Sequence, residues 1–194
     1  MEVSERHVTP DEYFDEQWAR GDDPWEHATR WYETRKYQLT VAALPRPRYR
    51  RSFEPGCGPG VLTRALGERS EDHLAMERHP AGAAAARRRC ADRPTVRVKE
   101  GVIPDDWPGG RFDLIVLSEV LYYLGGDAID ACLSHAHRSL VVGGHLVAVH
   151  YRRHVDAHRW TGDEVHDRLA AAAGWTSLLR GTDVDFRLDA LERC

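Results

Sequence analysis

The residues with the clearest chemical meaning are three glycines at alternating positions, Gly56, Gly58 and Gly60, which follow the acidic residue Glu54. Glycine lets the backbone turn tightly after a strand and approach a ligand that a Cβ atom would push away. A pyrophosphate loop of the G-x-G-x-x-G type would need its third glycine at position 61, where this chain has Val61. The spacing therefore predicts a ligand-binding turn that differs from a dinucleotide-binding one.

A second acidic residue, Glu77, lies 21 residues after Gly56. It ends a short apolar segment at residues 73–76 that we predict to be a buried strand. A carboxylate at this offset can accept both hydroxyl groups of a ribose through charge-assisted hydrogen bonds, each of which contributes roughly 1.5–3 kcal/mol. We expect Glu77 to hold a ribose, although an isolated acid at this position could equally be a surface residue.

The third predicted strand end carries apolar residues. Val102 and Ile103 follow Gly101 and could form the walls around an adenine ring. No acid directly follows Gly101, so Asp105 or Asp106 would have to accept a hydrogen bond from the exocyclic amine. Surface solvation of these two aspartates is an equal alternative.

A fourth group follows the continuous apolar segment at residues 112–117. Ser118 and Glu119 come directly after it, and Tyr122 and Tyr123 follow. A carboxylate and two tyrosines at a strand tip would face a reacting centre, and we expect Ser118 to contact the same ligand as the glycine turn. The alternatives are a helix-start role for Glu119 and core packing for the tyrosines.

Three histidines surround the end of the next predicted strand. His150 ends it, and His154 and His158 follow four residues apart. His150 could accept a proton or contact a substrate, or it could be an interior histidine. His154 and His158 could bind a metal on a helix, but the spacing supplies no third ligand, so we predict no metal site.

These residues need strands that end at one edge of a sheet. In open α/β sheets the ligand lies beyond the carboxyl ends of the strands, near the point where the strand order reverses. The alternation of period-two, apolar and helical patterns predicts a three-layer α/β fold. The predicted strands after the glycine turn cover residues 73–76, 95–98, 112–117, 145–150, 175–179 and 186–191, and helical patterns cover 61–66, 80–91, 127–140 and 162–174.

Residues 1–51 precede this core and predict a helical cap. The segment Asp22-Asp23-Pro24 is a good helix start, and we expect one helix from there to Leu44-Pro45. Aromatic residues are concentrated between positions 13 and 37, which suits packing onto the core or, alternatively, a lid that excludes water from a ligand. Residues 45–51 are basic and interrupted by proline, which predicts a solvated loop or, alternatively, a patch that steers a substrate.

The composition limits the function further. The chain has 194 residues, 42% apolar and 30% charged, and a net charge of −4. This length suits a single domain with a cap at 1–51 and a core at 52–194. The negative net charge argues against nucleic-acid binding, which usually needs a basic face. No apolar run or leader indicates a membrane span or secretion. Four scattered cysteines indicate reduced thiols in a cytoplasmic protein.

Together these motifs resemble the class I S-adenosylmethionine (SAM) methyltransferases, and among them the NodS-type nodulation N-methyltransferases. The similarity spans nearly the whole chain. It rests on residues 31–37 of the cap, the Glu54–Gly60 loop, the segment from Phe112 to Leu124, the strand 145–150 and the helix start at 162–166. It implies a Rossmann-like, mainly parallel seven-stranded sheet whose last strand is antiparallel.

The resemblance also implies a function. Glu54 and the glycines would hold the methionyl end of SAM, Glu77 its ribose, and the product would be S-adenosylhomocysteine (SAH). The acceptor would be a small molecule, most simply an amine such as that of an amino sugar. Glu77 stands where aspartate is commoner in the class, and Val102 where many members have an acid, which weakens the expected adenine contact.

For the reaction we expect Glu119, assisted by His150, to take the proton of the acceptor amine, with the aromatic cap closing over both. The amino-methyltransferases of nucleic acids carry an Asp/Asn-Pro-Pro-aromatic motif after the fourth strand. At the corresponding residues, 118–121, this chain has Ser-Glu-Val-Leu. The alternatives are O-methylation, a SAM-binding protein without catalysis and a nicotinamide-dependent oxidoreductase. The acceptor's identity and the oligomeric state stay open.

Overall fold

The structure is a computed structural model, which describes residues 9–194. Residues 1–8 of the predicted cap lie outside the described residues. The helices are α1 (Asp11–Trp18), α2 (Trp31–Ala42), α3 (Val61–Glu68), α4 (Pro80–Arg89), α5 (Gly126–Ser139) and α6 (Gly162–Ala171), and the strands are β1 (Tyr49–Pro55), β2 (Ser70–Glu77), β3 (Val96–Glu100), β4 (Phe112–Ser118), β5 (Leu140–Tyr151), β6 (Trp175–Thr182) and β7 (Phe186–Arg193).

Within the described residues the strands form one seven-stranded sheet in the order β3-β2-β1-β4-β5-β7-β6. The neighbours from β3 to β5 pair in parallel, whereas β7 pairs antiparallel with both β5 and β6. The predicted α/β class, the mainly parallel sheet and the antiparallel last strand are therefore confirmed. The expected closing strand pair is present as β6 and β7.

Helices cover both faces of the sheet because the central strands are apolar on both sides. Along β4, Ile115 and Leu117 belong to one core cluster with Ile129 of α5, while Leu114 belongs to another with Leu66 of α3. The first cluster also includes α6, and the second includes side chains of α2. This arrangement is the predicted three-layer architecture.

The order of the strands also explains where a ligand can bind. β1 and β4 are adjacent in the sheet although two strands separate them in the chain. The connections from these two strands leave in opposite directions, so a crevice opens between their carboxyl ends. The glycine turn follows β1 and Glu119 follows β4, which brings the two predicted groups to the same crevice.

The cap differs from the prediction. A single helix from Pro24 to Leu44 is wrong, because residues 19–30 form turns between α1 and α2. The carboxylate of Asp23 accepts hydrogen bonds from the backbone amides of His27 at 2.8 Å and Ala28 at 2.9 Å. Asp23 therefore closes a turn, and the helix begins at Trp31.

Two strand boundaries also differ. β1 begins at Tyr49, inside the segment predicted to be a loop, because the carboxylate of Asp113 accepts hydrogen bonds from the backbone amides of Arg50 and Arg51, each at 2.9 Å. β5 begins at Leu140, which pairs with Phe112, so the predicted start of this strand at residue 145 is wrong. Among the described residues, no helix combines the length and apolarity that crossing a membrane would require.

The packing of α5 against the sheet predicts how strongly a substitution in its buried face should destabilise the protein. Ile129 is completely buried between α5 and the sheet, and an Ile129→Ala substitution should lower the free energy of unfolding by about 2–5 kcal/mol through lost burial and a residual cavity. Val142, which is 73% exposed, provides the matched control. Val142→Ala should stay within about 0.5 kcal/mol of wild type in urea denaturation. Equal losses for the two variants would contradict this core assignment.

Candidate active site

A cavity of 590 Å³ lies at the carboxyl edge of the sheet, between β1, β4 and the cap. Eight of the ten residues that the sequence predicted to be in the site line this cavity. Those lining it are Glu54, Gly56, Gly58, Glu77, Val102, Ile103, Ser118 and Glu119, whereas Gly60 and His150 do not line it.

The glycine turn approaches its neighbours so closely that side chains would not fit. Gly56 has a φ of +70°, and a Cβ atom there would lie 2.9 Å from Cγ2 of Val120. Gly60 has a φ of +79°, and a Cβ atom there would lie 2.9 Å from Cα of Ala86. The absence of a Cβ atom at Gly56 therefore lets the turn lie directly against Val120. At Gly60 it lets α3 pack against α4. The expected ligand contact of Gly60 is replaced by this packing role.

Glu54 is positioned by a series of hydrogen bonds between buried polar side chains. Its Oε2 lies 3.2 Å from Nε2 of His73, whose Nδ1 lies 2.7 Å from Oγ of Ser52. The Ser52 hydroxyl donates in turn to Oγ of Ser70 at 2.6 Å. All four side chains are buried. Because the imidazole engages only one carboxylate oxygen in this chain, the other is available to a donor in the cavity.

Glu77 braces the glycine turn. Its Oε2 accepts a hydrogen bond from the backbone amide of Gly58 and its Oε1 one from that of His79, both at 2.9 Å. Burial raises the pKa of Glu77, while these two hydrogen bonds act in the opposite direction. Each oxygen keeps a second lone pair, so the carboxylate can still accept two further hydroxyl groups.

The two apolar residues that were predicted to contact adenine line the cavity, but the two candidate acids do not. Val102 and Ile103 line the cavity, and Ile103 is buried. Asp106 accepts the backbone amide of Val102 through Oδ2 at 2.8 Å. Neither Asp105 nor Asp106 is among the described residues that line the cavity.

Glu119 has the most constrained carboxylate in the site. Oε1 accepts from Nζ of Lys36 at 2.6 Å, and Oε2 accepts from the Tyr122 hydroxyl and, at 3.0 Å, from the Tyr151 backbone amide. Burial acts to raise its pKa, but the opposing contributions, of which the charge of Lys36 is the largest, together hold the pKa at about 2. Glu119 is therefore a fixed anion near neutral pH and a weak proton acceptor.

Lys36 is the partner that sequence reasoning missed. It projects from α2 with only 1% of its side chain exposed, and its Nζ also lies 2.7 Å from Oε2 of Glu33. The signal in the sequence was weak, because Glu33 and Lys36 at i and i+3 are typical of an exposed helical pair. The structure instead places the pair inside the molecule.

His150 lies in the interior and not in the cavity wall. Its Nε2 accepts from the backbone amide of Leu121 at 3.2 Å, and its Nδ1 lies 3.1 Å from Nε2 of His166. Nδ1 of His166 lies 2.8 Å from Oδ2 of Asp189. Burial lowers the pKa of His150 well below its ordinary value. The expected proton transfer by His150 is corrected on this geometry, because its ring has no contact with the cavity and both nitrogens are engaged.

Tyr122, Tyr123 and His158 form an aromatic wall at the end of the cavity beside Glu119. The rings of Tyr122 and His158 are stacked at 4.4 Å, and Tyr123 meets His158 edge to face at 4.6 Å. His154, by contrast, is exposed. No cluster with the composition of a metal site occurs in residues 9–194.

The cap supplies the opposite wall. Phe14 of α1 contacts Tyr123 at 5.1 Å between ring centroids, and Trp18 contacts Trp25 at 5.4 Å. These side chains line the cavity together with Tyr13, Tyr32 and Tyr37. The cap aromatics therefore pack on the core and cover the cavity at once, which unites the two alternatives that the sequence left open.

Known proteins resemble this chain in sequence and structure. Residues 53–148 match a family described as a methyltransferase domain. The crystal structure of a Pseudomonas syringae protein described as a methyltransferase is similar to this structure, with a TM-score of 0.75. The two sequences are 39% identical, and the match covers 84% of this chain and 100% of that one. NodS, an N-methyltransferase from Bradyrhizobium japonicum WM9, was crystallised with SAH; it is 23% identical, with a TM-score of 0.82 and coverage of 94% and 97%, which shows the shared fold.

Nodulation protein S of Rhizobium tropici is 29% identical over 128 residues, which are 65% of this chain and 54% of that relative. The match thus spans about half the length of this curated relative. Because the Pseudomonas syringae protein is matched over its whole length, the chain belongs to the SAM-dependent methyltransferases. This membership removes the nicotinamide-dependent oxidoreductase from consideration.

The described residues fit SAM. The cavity offers a buried carboxylate with two free lone pairs at Glu77, a turn without side chains at Gly56 and Gly58, and apolar walls at Val102 and Ile103. These features suit a ribose, a closely approaching methionyl chain and an adenine ring, in that order. The phosphates of a phosphate-bearing nucleotide would instead be repelled by the carboxylates of Glu54 and Glu77.

The ion pair at Glu119 predicts a pH dependence of stability. Its pKa in the folded protein, about 2, lies below the ordinary value of 4.5, so its stabilising contribution is complete above pH 4.5 and is lost as pH falls toward 2. Between pH 5 and pH 3 the wild type should lose about 2 kcal/mol more unfolding free energy than Glu119→Gln. Urea denaturation at both pH values measures this difference. Parallel losses in the two proteins would contradict the ion pair.

Proposed function

We propose that this protein acts as a single methyltransferase domain that transfers the methyl group of SAM to an amine of a small molecule, such as an amino sugar, and releases SAH. The carrying observation is the cavity, which extends from the glycine turn and Glu77 to Glu119 and Tyr122. One end offers groups that suit SAM. The other offers an anion and aromatic walls that suit a polar acceptor.

At the first end we assign residues to parts of SAM. Glu54 and the backbone of Gly56 and Gly58 would hold the methionyl end, and Glu77 would accept the ribose hydroxyls. Ser118 is buried at the tip of β4 and lines the cavity between the two ends. Val102 and Ile103 would contact adenine, and Gly60 would contribute by positioning α3.

At the second end Glu119 is proposed as a fixed negative charge. When bound, SAM supplies a methyl group on a positively charged sulfur that leaves as a neutral thioether. The acceptor nitrogen gains positive charge during the transfer, and an anion near it is stabilising. With a pKa of about 2, Glu119 suits this role better than that of a proton acceptor.

The acceptor class is supported by similarity and by charge. NodS is described as an N-methyltransferase, and the sequence similarity to nodulation protein S reaches 29%. Carboxylates of Glu33, Glu119 and Asp185 line the cavity, which suits an amine. The cap encloses the cavity on the side away from the sheet, which favours a small acceptor over a macromolecule, and the net charge of −4 disfavours nucleic acid.

A reducing compartment fits the cysteines. Cys57, Cys90, Cys132 and Cys194 are all free thiols in the structure. Disulfides form and persist mainly in oxidising compartments. We therefore propose that the protein works in the cytoplasm.

The proposed activity is tested by incubating the protein with SAM labelled in its methyl group and with glucosamine or N-acetylglucosamine, which lacks the free amine. Label in the glucosamine product alone supports N-methylation. Label in both products indicates O-methylation. Binding of SAH without transfer to any amine in a wider panel of amino sugars and alkyl amines would favour a SAM-binding protein without catalysis.

The ribose assignment predicts a loss of affinity. Glu77→Gln should weaken SAH binding roughly tenfold to a hundredfold, because a neutral amide replaces a charged acceptor of two hydrogen bonds. Glu71, an exposed glutamate on the same strand, provides the control. Isothermal titration calorimetry should find the Glu71→Gln affinity within about twofold of wild type. Equal affinities for both variants and wild type would refute the role of Glu77.

A further inference from the structure

His158 carries a buried polar atom that no residue in the described chain satisfies. Its Nε2 is buried and has no hydrogen-bond partner, although the ring lines the cavity. A buried polar group without a partner is destabilising, so such a group in a cavity wall is a candidate for a ligand contact. The reaction proposed above makes no use of it.

The ring is held firmly from several sides. It stacks on Tyr122 and meets Tyr123 edge to face. The backbone amide of His158 donates to the carbonyl of Val155 at 2.9 Å, and the Thr9 hydroxyl donates to the carbonyl of Ala157 at 3.0 Å. These contacts fix the loop that carries His158, so its unsatisfied nitrogen is a defined feature of the wall.

His158 and Glu119 flank the same tyrosine. The Tyr122 ring lies against the imidazole, and its hydroxyl donates to Oε2 of Glu119. Burial lowers the pKa of His158 to about 4, so the imidazole is neutral near neutral pH. In the tautomer with the proton on Nδ1, Nε2 is a hydrogen-bond acceptor.

The other candidate groups in the cavity suit an amine less well. The Tyr32 hydroxyl is also buried without a partner, but Nζ of Lys36 lies 4.8 Å from the centre of its ring, and a second cation there would be repelled. His27 lies beside the glycine turn, where a Cβ atom on Gly58 would be 3.5 Å from its ring. That position belongs to the SAM end of the cavity.

We propose that His158 binds the acceptor amine directly, with Nε2 accepting a hydrogen bond from the nitrogen that receives the methyl group. The inference rests on the proposed function. In the transfer a nitrogen–carbon bond forms from the nitrogen lone pair, the sulfur–carbon bond breaks with its electron pair left on sulfur, and the positive charge moves to nitrogen. The N–H···Nε2 bond strengthens as that charge develops, and the proton is released later to solvent.

The test uses two analogues of SAM and needs no identified acceptor. Both carry nitrogen in place of sulfur; one replaces the methyl group by an aminoethyl arm, which reaches the acceptor position, and the other by a propyl arm of similar size. The ratio of their dissociation constants, measured by calorimetry, reports the contacts of the terminal amine. His158→Phe keeps an aromatic ring against Tyr122 but removes both nitrogens.

We expect wild type to prefer the aminoethyl analogue and His158→Phe to lose roughly tenfold of that preference, with SAH affinity kept within about twofold. His158→Gln, which can still accept a hydrogen bond, should keep part of the preference and covers the case in which the Phe variant is unstable. His154→Phe, in the same loop but exposed, should match wild type.

An unchanged ratio in both His158 variants, or no preference in wild type, would overturn the role of His158 while leaving the SAM site intact. Failure of wild type to bind SAH would overturn the proposed function itself, and the inference with it.

Discussion

The site depends on one buried cation. Lys36 extends from the cap helix α2 to the tip of β4 and lies between the carboxylates of Glu33 and Glu119, with 1% of its side chain exposed. Removing a charge from water costs several kcal/mol unless it is paired, and breaking a buried pair leaves the partner uncompensated. The cap therefore cannot separate from the sheet without exposing or unpairing these charges. The ion pairs of Lys36 therefore connect the cap side of the cavity to the sheet side.

The same pairing determines the conformation around Glu119. Its φ of +54° lies in the left-handed region, which costs a residue with a side chain roughly 1–2 kcal/mol. Its backbone amide donates to the carbonyl of Val149 at 2.9 Å, and its carboxylate accepts three donors. Beyond it, the buried His150 accepts the amide of Leu121 and so anchors the turn that carries Tyr122. Polar contacts on both sides fix this strand tip, which local sequence preference alone would not do.

Much of the fold could be predicted because its signals are local. The apolar pattern of β4 and the glycine spacing after β1 depend only on neighbouring residues, and both predicted the observed elements. The partner of Lys36 lies 83 residues away, so the sequence could not distinguish a buried ion pair from an exposed helical one. The histidines at the end of β5 and after it posed a similar problem. Strand periodicity ends at Tyr151, and no pattern in the irregular loop that follows indicates that His158 faces the cavity while His150 does not.

The charges in the cavity bear on how a weakly basic site could promote the proposed reaction. Methyl transfer from SAM to a neutral amine creates no net charge but moves a positive charge from sulfur to nitrogen. A fixed anion accelerates this step only if it interacts more strongly with the charge after it has moved. Glu119 lies beside Tyr122 and the aromatic wall, whereas Glu54 and Glu77 lie by the glycine turn. An anion at the proposed acceptor end would stabilise the developing ammonium, and a low pKa would keep that anion charged throughout the transfer. Strong basicity is therefore unnecessary, because the proton can leave after the methyl group has been transferred.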